Sequence, residues 1–81
     1  MNTNYDFDEM ARAWPNDLVA RSEIEEFTSG LIKYGTMANL DSRGEGPEQR
    51  VVLGRKVAYP KEALIRWMEF RANNTKGVKY D

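Results

Sequence analysis

The chain contains neither cysteine nor histidine. Without thiols, disulfides and thiolate-held zinc are excluded. Without imidazole, the commonest general base and the commonest metal ligand are missing together. No apolar run approaches the ~20 residues of a membrane span. The polar, acidic first residues offer neither the basic n-region nor the apolar h-region of a secretory signal. These absences lead us to expect a cytoplasmic protein with no membrane partner, no catalytic residues, no metal ligands and no cofactor. At 81 residues there is room for one domain with a small core, in a size class that buries little more than ~60% of its unfolded surface.

The net charge is only −1, but its placement is uneven. Residues 1–30 carry two basic residues against seven acidic ones, and residues 31–81 carry ten against six. An acidic first third joined to a basic remainder allows one face to attract a polyanion while the total stays near zero. A solvated surface with local bias would read the same way.

Residues 1–17 read as an N-terminal arm. Phe7, Met10, Ala11 and Trp14 fall at i, i+3, i+4 and i+7, with Asp6 as N-cap and Pro15 as the stop. Two helical turns are marginal alone, so this piece must dock, either on its own domain or, through Phe7, Met10 and Trp14, on a protein partner. After the apolar lead-in Leu18 and Val19, a first core helix is expected over about 22–28, with Ile24 and Phe27 inward. Ser22 and Glu25 have capping-box spacing, although Ala20 or Arg21 also fits the boundary. Glu23, Glu25 and Glu26 crowd its first turns, where carboxylates oppose the positive end of the helix dipole. Ser29 and Gly30 break it, and a second helix runs from Tyr34 or Gly35 to Ser42 with Met37 and Leu40 inward. Two short helices around a glycine-containing turn form a helix-turn-helix pattern.

Residues 43–49 are a loop by composition. Its GEG neither follows a strand nor ends in Gly-Lys-Ser/Thr, so it is no phosphate-cradling loop. Val51, Leu53, Val57 and Tyr59 alternate around Gly54-Arg55, the signature of a tight hairpin with glycine at positive φ. Pro60 then suits a first helical position, and Leu64, Trp67 and Met68 form the apolar stripe of a closing helix. Residues 73–81 read as a polar C-terminal tail, in which Val78 and Tyr80 have the spacing of a short strand.

Helix, turn, helix, basic hairpin and Trp-bearing helix, in that order, resemble the small excisionase and MerR-superfamily winged-helix proteins of phages and integrative elements. The residues that carry the resemblance are LVARSEI over 18–24, GTMANLD over 35–41, GRKVAY over 54–59 and LIRW over 64–67. It covers about residues 18–71, and NLDSRGEGP over 39–47 looks like the prophage-type members. The implied fold is α+β, mainly α: a winged helix-turn-helix domain over 18–72 with a two-stranded hairpin wing and a closing helix. The implied function is that of a bacterial, nucleoid-associated DNA-architectural factor. Such a protein binds repeated sites on double-stranded DNA, self-associates side by side, and directs a cognate integrase towards excision; some relatives regulate promoters instead. A protein-interaction adaptor working through the arm is a reading from another class. Two departures from the pattern stand out. Ala20 replaces a frequent Thr N-cap, at roughly 1 kcal/mol, and Glu45 and Glu48 lie near the expected phosphate path.

Candidate DNA contacts divide into two jobs. On the second helix, Thr36, Asn39 and Arg43 occupy the outward face, where Asn suits adenine and Arg suits guanine. A polar solvent face, or a backbone hydrogen bond for Asn39, explains them equally. Lys33, Tyr34 and Arg50 read as phosphate contacts, with Tyr34 also suited to the edge of the core. In the hairpin, Arg55 lies in the turn and Lys56 alternates away from Val57, so both project from the tip. Charged protection of an edge strand is their plainer explanation.

Overall fold

A computed structural model describes residues 6–73 of the protein. In chain order these form α1 (Phe7–Ala13), β1 (Leu18–Ala20), a 3₁₀ turn (Arg21–Glu23), α2 (Ile24–Phe27), α3 (Tyr34–Ser42), β2 (Val51–Leu53), β3 (Lys56–Pro60) and α4 (Lys61–Asn73). The fold class is α+β. Among the described residues, four α-helices surround a three-stranded antiparallel sheet of order β1-β3-β2. None of these helices is long and apolar enough to cross a membrane.

α1 begins as its sequence requires, with the Asp6 carboxylate accepting from the Asp8 amide at 2.9 Å. It is not a separate arm. Phe7 and Met10 are buried in the same cluster as Val19, Ile24, Phe27, Met37, Tyr59, Leu64, Ile65 and Met68. The Trp14 ring meets Phe27 edge-on at 5.3 Å, and its indole N–H donates to the Leu18 carbonyl. Lys61 closes the link by donating from its ammonium to the Trp14 carbonyl and from its amide to the Asp17 carbonyl. One core therefore spans what the sequence divides at residue 17. Phe7 and Met10 are each only 8% exposed, and Trp14 is partly buried. The C-terminal expectations for residues 74–81 lie outside the described residues.

The first core helix is shorter than its pattern suggests. Residues 18–20, which the resemblance places in that helix, instead pair with β3 as an edge strand: Leu18 opposite Pro60, Val19 opposite Tyr59, Ala20 opposite Ala58. Two β-branched or apolar residues before a cap are too few to be told from a helix lead-in by periodicity. The chain then turns through the 3₁₀ segment, where the Glu23 carboxylate accepts from the Ala20 amide at 3.1 Å. Ala20 lacks the oxygen that would return the bond, so the capping box is half made.

The turn between α2 and α3 is held by Thr28, which is fully buried. Its hydroxyl donates to the Ile24 carbonyl at 2.8 Å and accepts from the Ile32 amide at 3.0 Å. α2 ends in a Schellman motif: Gly30 donates to the Glu25 carbonyl and Ser29 to that of Glu26. The left-handed residue that such a motif requires at its first position beyond the cap is Ser29, at φ 56°. α3 ends likewise, with Glu45 donating to Leu40 and Gly44 to Asp41, and there the left-handed residue is a glycine.

The hairpin forms with Gly54 at φ 61°, as a type II′ turn demands, but its facing differs from simple alternation. A two-residue turn pairs Leu53 with Lys56, Val52 with Val57 and Val51 with Ala58. Directly paired residues share a face, so Val52 joins Val57, Tyr59 and Val19, while Val51 and Leu53 join Lys56 and Ala58 on the outer face. All three β2 side chains are exposed. Pro60 is the last strand residue and α4 starts at Lys61. α4 buries Ala63, Leu64, Ile65 and Met68, whereas Trp67, expected inside, is half-buried and donates from its indole N–H to the Glu45 carbonyl at 2.9 Å.

Ser29 pays the left-handed strain that glycine escapes. Ser29→Gly should raise stability by about 0.5–1 kcal/mol, read as a higher urea midpoint with an unchanged m-value.

Candidate nucleic-acid interface

α3 places its inward residues at 37, 40 and 41, a single stripe at i, i+3 and i+4. The third of these is a carboxylate. Asp41 is buried, with 4% of its side chain exposed. Its Oδ2 accepts from Arg21 Nη2 and from the Tyr59 hydroxyl, each at 2.6 Å, and Arg21 Nε donates to the Tyr59 oxygen at 3.0 Å. Oδ1 makes no hydrogen bond, and Arg50 Nη1 stands 3.6 Å from it. A Cβ on Gly46 would collide with that oxygen, so only glycine fits there. One side chain thus joins α3 to the 3₁₀ turn, to β3 and to the start of β2.

Protonation follows from this enclosure. Burial penalises the Arg21 cation, but the hydrogen bonds with Tyr59 and Asp41 outweigh it and raise the guanidinium above its ordinary value. Burial first, and then the bond to Asp41, push the Tyr59 hydroxyl up to about 12.

With Asp41 turned inward, α3 itself carries no outward carboxylate. The sequence holds no other carboxylate between Glu26 and Glu45. Thr36, Asn39 and Arg43 are all exposed and recur at i, i+3 and i+7, so the helix brings these three candidates onto one line. Ser42 donates to the Asn39 carbonyl at 2.9 Å, leaving the Asn39 amide group outward. Arg43 is paired with Glu45 at 2.9 Å, and Glu45 is anchored through its backbone by Trp67.

The remaining cations fall into two groups. Lys33 precedes α3 and lies 3.7 Å from Glu25, an exposed pair of little energetic weight. Tyr34 is more than half exposed beneath the Arg21 guanidinium, 5.8 Å from its ring centre, which favours the core-edge role. Arg50 reaches towards Asp41 and fixes the base of the hairpin. Among the described residues, Arg55 and Lys56 alone of the candidate cations have no carboxylate within 4 Å. They project from the tip.

The sequence reading missed the Arg21–Asp41–Tyr59 cluster. A signal for it existed: a carboxylate at the i+4 position of the apolar stripe begun by Met37 demands a buried cation. Among the described residues no group of three His, Cys, Asp or Glu side chains is placed to hold a metal ion. Comparison with protein-family models, curated proteins and solved structures finds no match.

Removing the charge from Asp41 leaves Arg21 enclosed without a counter-ion. Asp41→Asn should cost about 3 kcal/mol or more in chemical denaturation. Tyr59 generates a pH dependence of definite sign. Its folded value lies above the unfolded one, so its contribution is intact below pH 10 and is lost as pH rises towards about 12. Stability should fall through that window in the wild type and more gently in Tyr59→Phe, measured by denaturation at each pH.

Proposed function

We propose that the protein is a sequence-specific DNA-binding factor of winged-helix type, which acts as an excisionase directing an integrase to release a mobile element. The observation that carries this reading is the distribution of charge over α3 and the hairpin. The outward stripe of Thr36, Asn39 and Arg43 carries no acid from α3 itself, because Asp41 is turned inward, and the next projecting element ends in Arg55 and Lys56, which have no carboxylate within 4 Å among the described residues. Helix, turn, helix, basic hairpin and closing helix is also the order on which the resemblance rests.

On this reading α3 lies in the major groove, with Asn39 suited to adenine and Arg43 to guanine. The hairpin serves as the wing, its tip drawn to the concentrated negative potential of the minor groove. Lys33 contacts phosphate in place of its exposed pairing with Glu25, and Arg50, whose side chain is 45% exposed beside Asp41, reaches another. A module of this size buries only about 600–1,000 Å² on DNA, so specific action uses several copies side by side on tandem sites. Promoter regulation would use the same surface. The adaptor reading loses its anchors, because Phe7 and Met10 are spent on the core.

Fluorescence anisotropy on a duplex from the upstream region and nearest attachment site tests this. Neutralising about four phosphates gives a slope of log K against log salt of roughly −3.6, near two decades between 50 and 200 mM. Arg55→Ala/Lys56→Ala should weaken binding and flatten that slope by about 1.8. Asn39→Ala should instead lose about 1–3 kcal/mol of discrimination at one adenine while keeping non-specific affinity. A folded wild type that does not bind at low salt would sink the proposal.

A further inference from the structure

β2 is an edge strand whose three consecutive side chains, Val51, Val52 and Leu53, are 43%, 58% and 78% exposed. Scattered surface leucines need no explanation, but an uninterrupted exposed apolar run at a sheet edge has a cost in solubility and is retained where it is used. Leu53 is the most exposed of the large apolar side chains among the described residues. It lies directly beside the turn and opposite Lys56, so the leucine and the ammonium leave the same face of the hairpin.

Resting on the DNA-binding reading above, we propose that Leu53 is a wedge that enters the minor groove, partly unstacks one base step and bends the duplex where the tip docks. Three features favour duplex DNA as the occupant. The tip is narrow, because Gly54 closes it in two residues, so a single end side chain rather than the whole ribbon is what a minor groove ~6 Å across must admit. The surroundings are wholly basic: residues 50–61 hold four cations and no carboxylate. That charge opposes pairing of β2 with its own copy, since an antiparallel match of Val51–Leu53 would bring Arg50 opposite Gly54 and beside Arg55 of the second molecule. Leucine is also among the side chains able to open a base step, at a cost of a few kcal/mol that the bent contact repays.

The test uses the full chain on duplexes carrying 2-aminopurine at successive pyrimidine–purine steps and a donor–acceptor pair at the ends. Wild type, Leu53→Ala, Leu53→Ser and Arg55→Ala/Lys56→Ala are compared. Because Leu53 is outside the core, its variants should melt with the wild type. Wild-type binding should brighten the probe at one step and shorten the end-to-end distance. Leu53→Ala should bind about tenfold more weakly, with its salt slope intact, and should lose both signals; the double mutant should instead flatten the salt slope by about 1.8. The wedge is overturned if Leu53→Ala bends and brightens the duplex as wild type does, or if wild type binds without brightening any step. It is also overturned if DNA-free wild type sediments as a dimer that Leu53→Ser makes monomeric, which would assign β2 to a second copy. Absence of wild-type binding removes the DNA reading and the wedge together.

Discussion

The Asp41 carboxylate is the constraint on which the arrangement depends. A buried charge is tolerated only where partners satisfy it, and breaking such a set leaves its remaining members more costly than before. Here those partners come from the 3₁₀ turn, from β3 and from the first residue before β2. Apolar packing would let α3 slide or rotate on the sheet at small cost, since many pairings of Met37 and Leu40 are nearly equivalent. Two short hydrogen bonds to a single oxygen do not allow that. The orientation of α3 relative to the hairpin is therefore set by charge geometry.

The small size of the chain explains the fate of its N-terminal helix. Residues 18–73 alone enclose few large apolar side chains, because β2 contributes none to the core and Trp67 contributes half. Phe7, Met10 and the Trp14–Phe27 contact supply the missing volume, and the Lys61 bonds fix the link between α1 and α4. A helix of two turns gains order only from such docking. Of the two roles open to it in sequence, docking on its own domain or on a partner, α1 takes the first and forms the last wall of the core.

Much of the framework was legible in the sequence because it depends on local chemistry. Asp6 as cap, Gly54 in the turn, the Ser29-Gly30 break and the span of α3 each follow from residues within a turn of one another. Three features were not legible, for different reasons. β1 is three residues long and is defined by its partner β3, forty residues away, so nothing nearby marks it as a strand. The facing of Val51 and Leu53 depends on how a two-residue turn shifts parity across the hairpin, and alternation within each strand cannot supply that. The Asp41 cluster joins residues 20 and 18 positions apart, and a lone Asp on a helix resembles a solvent group until its burial is known. The candidate contacts divide along the same line. Thr36, Asn39 and Arg43 align because helical spacing is local, whereas the partners of Lys33, Arg43 and Arg50 become visible only in three dimensions.

The uneven charge then acquires a physical use. Interactions beyond ~8 Å are largely screened at physiological salt, so a polyanion responds to the nearest face of a domain rather than to its total of −1. The seven acids of the first thirty residues lie on α1, on the link before β1, and on the 3₁₀ turn and α2, and several are internally engaged: Glu9 by Arg12, Glu23 by the Ala20 amide, Glu25 by Lys33. The hairpin has no such compensation, and the one acid of α3 is spent inside. The charge bias is therefore strongest at the hairpin tip, where Arg55 and Lys56 have no carboxylate within 4 Å among the described residues. On the proposed DNA-binding reading, such a bias would orient the approach to the duplex before any base is touched, and would let neighbouring copies place an acidic flank beside a basic one. On that reading, uneven placement rather than net charge is what would allow a near-neutral chain to bind a polyanion without becoming a generally sticky cation.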